Sequence, residues 1–75
     1  MLNTRQKKAA TRLLKALDAC HAAGLKGGVF DGGFCLWPID AEKDPFDAGR
    51  EFFRVVDEVG TTLNSKMSLD GGAGS

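Results

Sequence analysis

The fold of this chain is decided by the stretch Gly27-Gly28-Val29-Phe30-Asp31-Gly32-Gly33-Phe34-Cys35-Leu36-Trp37-Pro38. Two apolar runs flank a glycine-rich centre, where either Asp31-Gly32 or Gly32-Gly33 suits the positive φ of a tight hairpin turn. Pro38 ends the second run because proline has no N–H to donate to a neighbouring strand. The stretch therefore predicts a two-stranded antiparallel β-hairpin.

Both faces of this hairpin are apolar, because side chains alternate along a strand and either turn gives the same alternation. The two faces consist of Val29, Phe34 and Leu36 on one side and Phe30, Cys35 and Trp37 on the other. A two-stranded sheet is marginal in water unless something covers it. The hairpin therefore needs helices or a partner on its faces.

The segment before the hairpin has the pattern of an amphipathic helix over residues 4–23. Asn3 and Gln6 have the spacing of a capping box, and Gly24 is the residue type that ends helices. The apolar stripe consists of Ala10, Leu13, Leu14, Leu17 and Cys20. The basic residues on nearly the opposite side are Arg5, Lys8, Arg12 and Lys15.

A second helix is predicted after the hairpin, from Asp44 to about Asn64. Asp44 is suited to cap it and Pro45 to occupy its first position. Its inner face is expected to consist of Phe52, Val56, Val59 and Leu63. Gly60 either permits close packing on this face or ends the helix early.

These elements predict a small α+β domain over residues 1–67, in the order helix, β-hairpin, helix (αββα), followed by a flexible glycine-rich tail over 68–75. A two-stranded antiparallel sheet would pack on the two helices. The helices could cover one face each, which gives a closed monomer. Short connections favour the alternative, in which both helices cover one face and the other is left for a partner.

The length of 75 residues allows one domain, at the small end of what folds alone. No run approaches the roughly 18 apolar residues of a membrane span, and the N-terminal stretch lacks the apolar core of a secretory leader. We therefore expect a cytoplasmic protein with no membrane contact. In that reducing location Cys20 and Cys35 stay free.

The net charge of zero conceals a division between the two halves of the chain. Residues 1–26 carry six basic residues and one acidic residue, whereas residues 27–75 carry four basic and nine acidic residues. The two halves could attract each other within the fold. They could instead present surfaces of opposite sign to partners.

Catalytic and metal-binding patterns are weak. Cys20, His21 and Cys35 supply three potential zinc ligands where structural sites use four, and neighbours on a helix point about 100° apart. The acidic stretch matches part of a calcium-loop register, but Pro45 stands where the loop needs glycine. A nucleophilic Cys35 with His21 as base would lack an orienting group. We expect no enzyme activity, no cofactor and no metal.

The sequence favours a non-catalytic protein-binding module, with dimerisation through the hairpin as the expected state. The predicted hairpin contacts are Phe30, Phe34, Cys35, Leu36 and Trp37. The acidic loop residues Asp40, Glu42 and Asp44 would add charge complementarity. Small size without motifs is common among phage and mobile-element accessory proteins, including anti-CRISPR proteins, so we expect an inhibitor or adaptor that blocks its target sterically.

Two alternatives remain open. The first is a nucleic-acid-binding homodimer whose basic helix face, Arg5, Lys8, Arg12 and Lys15, follows a phosphate backbone. Zero net charge and the acidic second half count against it. The second is a redox or metal-linked sensor that uses Cys20 and Cys35.

Overall fold

The computed structural model describes residues 1–30 and 32–69. The elements are helix α1 (Thr4–Ala22), strands β1 (Leu25–Phe30) and β2 (Gly33–Pro38), two 3₁₀ turns (Pro45–Asp47 and Gly49–Glu51), helix α2 (Phe52–Val59) and strand β3 (Thr61–Leu63). The strands form one antiparallel sheet in the order β1-β2-β3. The α+β class is confirmed, but the sheet has three strands and not the expected two.

Helix α1 begins as its sequence predicts. The Asn3 side chain accepts a hydrogen bond from the Gln6 N–H at 2.8 Å, and the Gln6 side chain accepts one from the Asn3 N–H at 2.9 Å. Each bond satisfies a donor that the first helical turn leaves without an intrahelical partner. The helix ends at Ala22, one residue earlier than expected, and Gly24 has a φ of 80°. No residue of α1 is buried.

The hairpin has the expected alternation. Phe30 pairs with Gly33, and Gly32, which comes between the two strands, has a φ of 81°. Asp31 itself lies outside the described residues. Lys26 pairs with Trp37 across the ladder.

The second helix is shorter than predicted and does not begin at Asp44. Asp44 does cap the following turn, since its side chain accepts a hydrogen bond from the Phe46 N–H at 2.9 Å. This turn is 3₁₀, and Gly49, with a φ of 55°, begins the second 3₁₀ turn, which precedes the α-helical segment. Residues other than glycine rarely adopt a positive φ, so the glycine at this position allows the backbone to change direction between the two 3₁₀ turns.

The predicted end of this helix forms a strand instead. Gly60 leaves the helical region with a φ of −148°, and Leu63 pairs with Phe34 on the free edge of β2. A Cβ atom at position 60 would overlap the backbone oxygen of Leu36, so glycine lets the chain approach β2 this closely. Leu63 therefore lies on the sheet and not on the inner face of a helix.

Helix α2 covers the sheet face that carries Phe30, Cys35 and Trp37. The core cluster consists of Cys35, Trp37, Phe52 and Val56. The rings of Phe30 and Phe52 stack at 4.3 Å between centroids, and those of Trp37 and Phe46 form an edge-to-face pair at 5.0 Å between centroids. The described residues contain five buried hydrophobic side chains, which is a small core for a chain of this length.

Helix α1 lies on the opposite side of the sheet from α2, where its side chains face Phe34 and Leu36 across a groove. The expectation that both helices pack on one face is therefore wrong. The Cα radius of gyration is 13.7 Å, against about 11 Å for a compact chain of this length. The molecule is extended because α1 buries no residue against the sheet and is separated from it by this groove.

Among the helices of residues 1–30 and 32–69, none combines the length and the apolar character that crossing a bilayer requires.

Candidate functional site

A groove of about 280 Å³ separates α1 from the sheet face that α2 leaves uncovered. We call it the apolar groove. Helix α1 contributes Leu13, Ala16, Leu17 and Cys20. The sheet contributes Phe34, Leu36 and Leu63. The segment after β3 contributes Asn64, Ser65, Met67 and Leu69.

Large hydrophobic side chains in the apolar groove remain open to solvent. Leu13 is 50% exposed, Leu17 39%, Leu63 50% and Met67 60%. Phe34 and Leu36 are half-buried. The opposite sheet face is closed by α2, so the two faces of the hairpin differ sharply in how completely they are covered.

Helix α1 is attached to the sheet through its C-terminal end. The Ile39 N–H donates a hydrogen bond to the Gly24 oxygen at 2.7 Å, and Leu25 pairs with Pro38. The residues of α1 that line the groove begin at Leu13. The first part of the helix, residues 4–12, therefore contributes nothing to the groove and has no buried residue of its own.

The predicted hairpin contacts are divided between the two faces. Phe34 and Leu36 line the apolar groove. Cys35 and Trp37 are both 0% exposed beneath α2, and Phe30 packs against the same core. The assignment of Cys35 and Trp37 to a contact surface is therefore corrected, because the folded chain leaves neither side chain any surface to present.

Within the acidic loop, Asp44 has a local structural role. Its carboxylate forms an ion pair with Lys26 at 2.8 Å and accepts the Phe46 N–H. The hydrogen bond from Lys26 and then that from Phe46 lower the pKa of Asp44 below its ordinary value. Asp40 and Glu42 are exposed and form no ion pair within the described part of the chain.

The other ion pairs join residues of the second half of the chain to one another. Lys43 pairs with Glu58 at 2.8 Å, and Arg54 pairs with Glu51 at 2.7 Å and with Glu58 at 3.0 Å. The Lys43 hydrogen bond lowers the pKa of Glu58, and the Glu51 hydrogen bond raises the pKa of Arg54. The acidic half thus neutralises part of its own charge.

The basic face of α1 has no ion-pair partner among the described residues. Arg5, Lys8, Arg12 and Lys15 are exposed, and none forms an ion pair with any described residue. Lys26 provides the one bridge between the two halves that the described residues contain. Attraction between the halves within one molecule therefore leaves most of their charge available to partners.

The two thiols lie on opposite sides of the sheet and are free. Cys20 lines the apolar groove, whereas the Cys35 sulfur lies in the core, 3.6 Å from the Thr62 hydroxyl oxygen. His21 is exposed. Residues 1–30 and 32–69 contain no group of three or more His, Cys, Asp or Glu side chains that could hold a metal ion.

Sequence reasoning missed the third wall of the groove. The sequence predicts a helix face for Leu63 and a tail position for Leu69, but both line the groove, as does Met67. The available signal was Gly60 followed by Thr61-Thr62, since glycine ends helices and β-branched residues favour strands. Residues 70–75 of the predicted tail lie outside the described residues.

Comparison with models of protein families, with curated proteins and with solved structures finds no match to this chain.

Proposed function

We propose that this chain is a non-catalytic protein-binding module whose contact surface is the apolar groove. The observation that carries the proposal is the unburied amphipathic helix α1, which faces an uncovered apolar sheet face. Isolated helices of this length are marginal in water, and most helical stability in proteins comes from packing an apolar face. A partner in the groove would provide that packing.

The exposed side chains supply a useful amount of binding free energy. Full burial of a leucine-sized side chain contributes about 1.5–3 kcal/mol. Leu13, Leu17, Leu63 and Met67 are each about half exposed, so complete burial of all four would contribute roughly 3–6 kcal/mol. Groups on the partner would add to this value.

The lining favours protein side chains over a small polar ligand. Small-molecule sites combine apolar walls with a few convergent polar groups that fix the ligand. Asn64 and Ser65 supply the polar side chains of this groove, and both lie on the segment after β3. A groove between a helix and a sheet face suits an amphipathic helix, which would present apolar residues at helical spacing.

Steric occupation is the mechanism that fits such a surface, because the groove brings together no acid, base and nucleophile. His21 is exposed outside the groove, and Cys35 is separated from Cys20 by the sheet. Nothing in the fold or the comparisons supports the narrower class of phage or anti-CRISPR inhibitors. The proposal therefore stops at protein binding.

A library of random peptides about 20 residues long, selected for binding to the chain, tests this proposal. Leu17→Asp places a charge in the groove, and Ala19→Asp places the same charge on the same helix outside the groove lining. Selected peptides should bind the wild type and Ala19→Asp but lose at least tenfold in affinity for Leu17→Asp. Peptides that bind both variants equally, or a library that yields none for the chain in its monomeric state, would contradict the proposal.

A second candidate function is nucleic-acid binding by a dimer, which the unpaired basic face of α1 favours. Affinity for duplex DNA or RNA should then fall with salt, with a log–log slope of about −0.9 per phosphate neutralised on duplex DNA. The double change Arg12→Glu and Lys15→Glu should abolish binding. Unchanged binding by that variant would exclude the basic face as the contact.

A further inference from the structure

We propose that the occupant of the apolar groove is helix α1 of a second copy of this chain, lying antiparallel to the first α1 across a two-fold axis. This inference rests on the proposed function of the groove as a protein-binding surface and names its partner. The same surface then serves both copies, because each supplies one helix and one groove.

The length of α1 fits this arrangement. At 1.5 Å per residue its 19 residues span about 28 Å, while its groove-lining residues begin only at Leu13. Antiparallel pairing places the first part of each helix beside the C-terminal part of the other copy's helix, at the end of the groove that Cys20 lines. Residues 4–12 of α1, which pack against nothing in their own molecule's groove, therefore gain packing contacts with the second copy.

The apolar stripe of α1 suggests a register. Leu13 and Leu17 are its large groove-lining residues, and an antiparallel pair buries them best when Leu13 of one copy faces Leu17 of the other. Ala10, which belongs to the same stripe, then faces Cys20 of the second copy. The small side chain of Ala10 leaves room for the close approach of two helices.

Charge complementarity favours the antiparallel direction. The Ile39 N–H binds the Gly24 oxygen at 2.7 Å, so the acidic loop begins beside the C-terminal end of α1. An antiparallel partner brings its own N-terminal Arg5 and Lys8 to this end, near Asp40 and Glu42. These four residues form no ion pair with any other described residue.

In a parallel pair, Arg5 of one copy would instead lie beside Arg5 of the other copy, where the two positive charges repel each other. Cations are stabilised near the C-terminal end of a helix, where the helix dipole is negative. The antiparallel pair brings Arg5 and Lys8 of one copy to that end of the other copy's α1. The zero net charge of the chain leaves no overall repulsion between two copies. A foreign amphipathic helix would have to match the same apolar stripe and the same flanking charges.

Light scattering after size exclusion, at several protein concentrations, tests the pairing. The wild type and Ala19→Asp should have twice the 8.0 kDa mass of the chain, and Leu17→Asp should have the mass of one chain with the near-ultraviolet circular dichroism of the buried Trp37 retained. A wild type that stays monomeric would overturn the pairing. If the wild type is monomeric, the peptide selection decides the proposed function separately: peptides that need Leu17 leave it standing, and the absence of such peptides overturns it as well.

A second variant tests the register without a charge in the groove. Ala10→Cys, treated with a short bismaleimide, should give a dimer cross-linked from position 10 to Cys20, and Ala10→Cys with Cys20→Ser should give much less. The wild type should not cross-link, because two Cys20 residues would lie about 15 Å apart along the helices. Efficient cross-linking of the wild type, or none with Ala10→Cys, would contradict the antiparallel register.

Discussion

At the residue scale, Trp37 shows how far a single side chain can be assigned from sequence. Alternation along the strands places it on one face with Phe30 and Cys35, and the structure confirms that grouping. The pattern could not tell which face would be covered, since both are apolar and either helix could cover either. Long-range packing by Phe52 and Val56 makes this the closed face.

Trp37→Ala should lower the free energy of unfolding by about 3–5 kcal/mol, because it leaves a cavity in a core of few side chains. Trp37→Phe should cost less, since the indole N–H is buried without a hydrogen-bond partner among the described residues. Urea unfolding followed by circular dichroism measures both. Unchanged stability of Trp37→Ala would show that the indole is not part of the core.

The Lys26–Asp44 pair gives a prediction about pH. The hydrogen bond from Lys26 lowers the pKa of Asp44 in the folded chain, so this interaction stabilises the fold above the ordinary aspartate pKa and is lost as the pH falls through the folded value. Lys26→Gln should raise the pKa of Asp44 towards its ordinary value. A carboxyl titration by NMR that shows no rise would contradict the pairing.

At the scale of elements, local sequence patterns predict where the helical segments begin better than where they end. The capping box at Asn3 and the cap at Asp44 are both present, because each depends on residues within a few positions. The strand β3 depends on pairing with β2, about 27 residues away in sequence. No local pattern specifies that pairing, so the sequence offers Gly60 as a possible helix end but does not predict a strand after it.

Gly60→Ala should destabilise the chain by about 1–3 kcal/mol and weaken β3, because the added Cβ overlaps the Leu36 oxygen and the Trp37 side chain. Gly49→Ala is the matched control. Its Cβ meets nothing within 4 Å, so only the strain of its φ of 55° remains. Amide hydrogen exchange at Thr61–Leu63 should rise in Gly60→Ala and stay near the wild-type rate in Gly49→Ala, and equal exchange in both would contradict the close approach.

At the scale of the whole molecule, α1 and the rest of the chain are joined mainly at one end. The sequence predicted the amphipathic character of α1, its basic side and the opposite charge of the second half. It could not predict that a groove would separate α1 from the sheet, because that spacing depends on β3 and residues 64–69 forming a third wall.

If two copies stabilise each other, the melting temperature should rise with protein concentration, because folding is then coupled to association. Added salt should reduce the rise, since the contacts between Arg5 or Lys8 and the acidic loop are screened. Thermal unfolding at concentrations a hundredfold apart measures this dependence. A melting temperature that does not depend on concentration would contradict coupled association.

The central claim is that a second copy of this chain fills the apolar groove, and the rate of Cys20 alkylation measures this directly. Cys20 lines the groove and Cys35 lies in the core, so the wild type needs no substitution. We predict that Cys35 stays unreactive while Cys20 reacts quickly in dilute protein and at least tenfold more slowly as the concentration rises. A Cys20 rate that is the same at every concentration would contradict the claim that a second copy fills the groove.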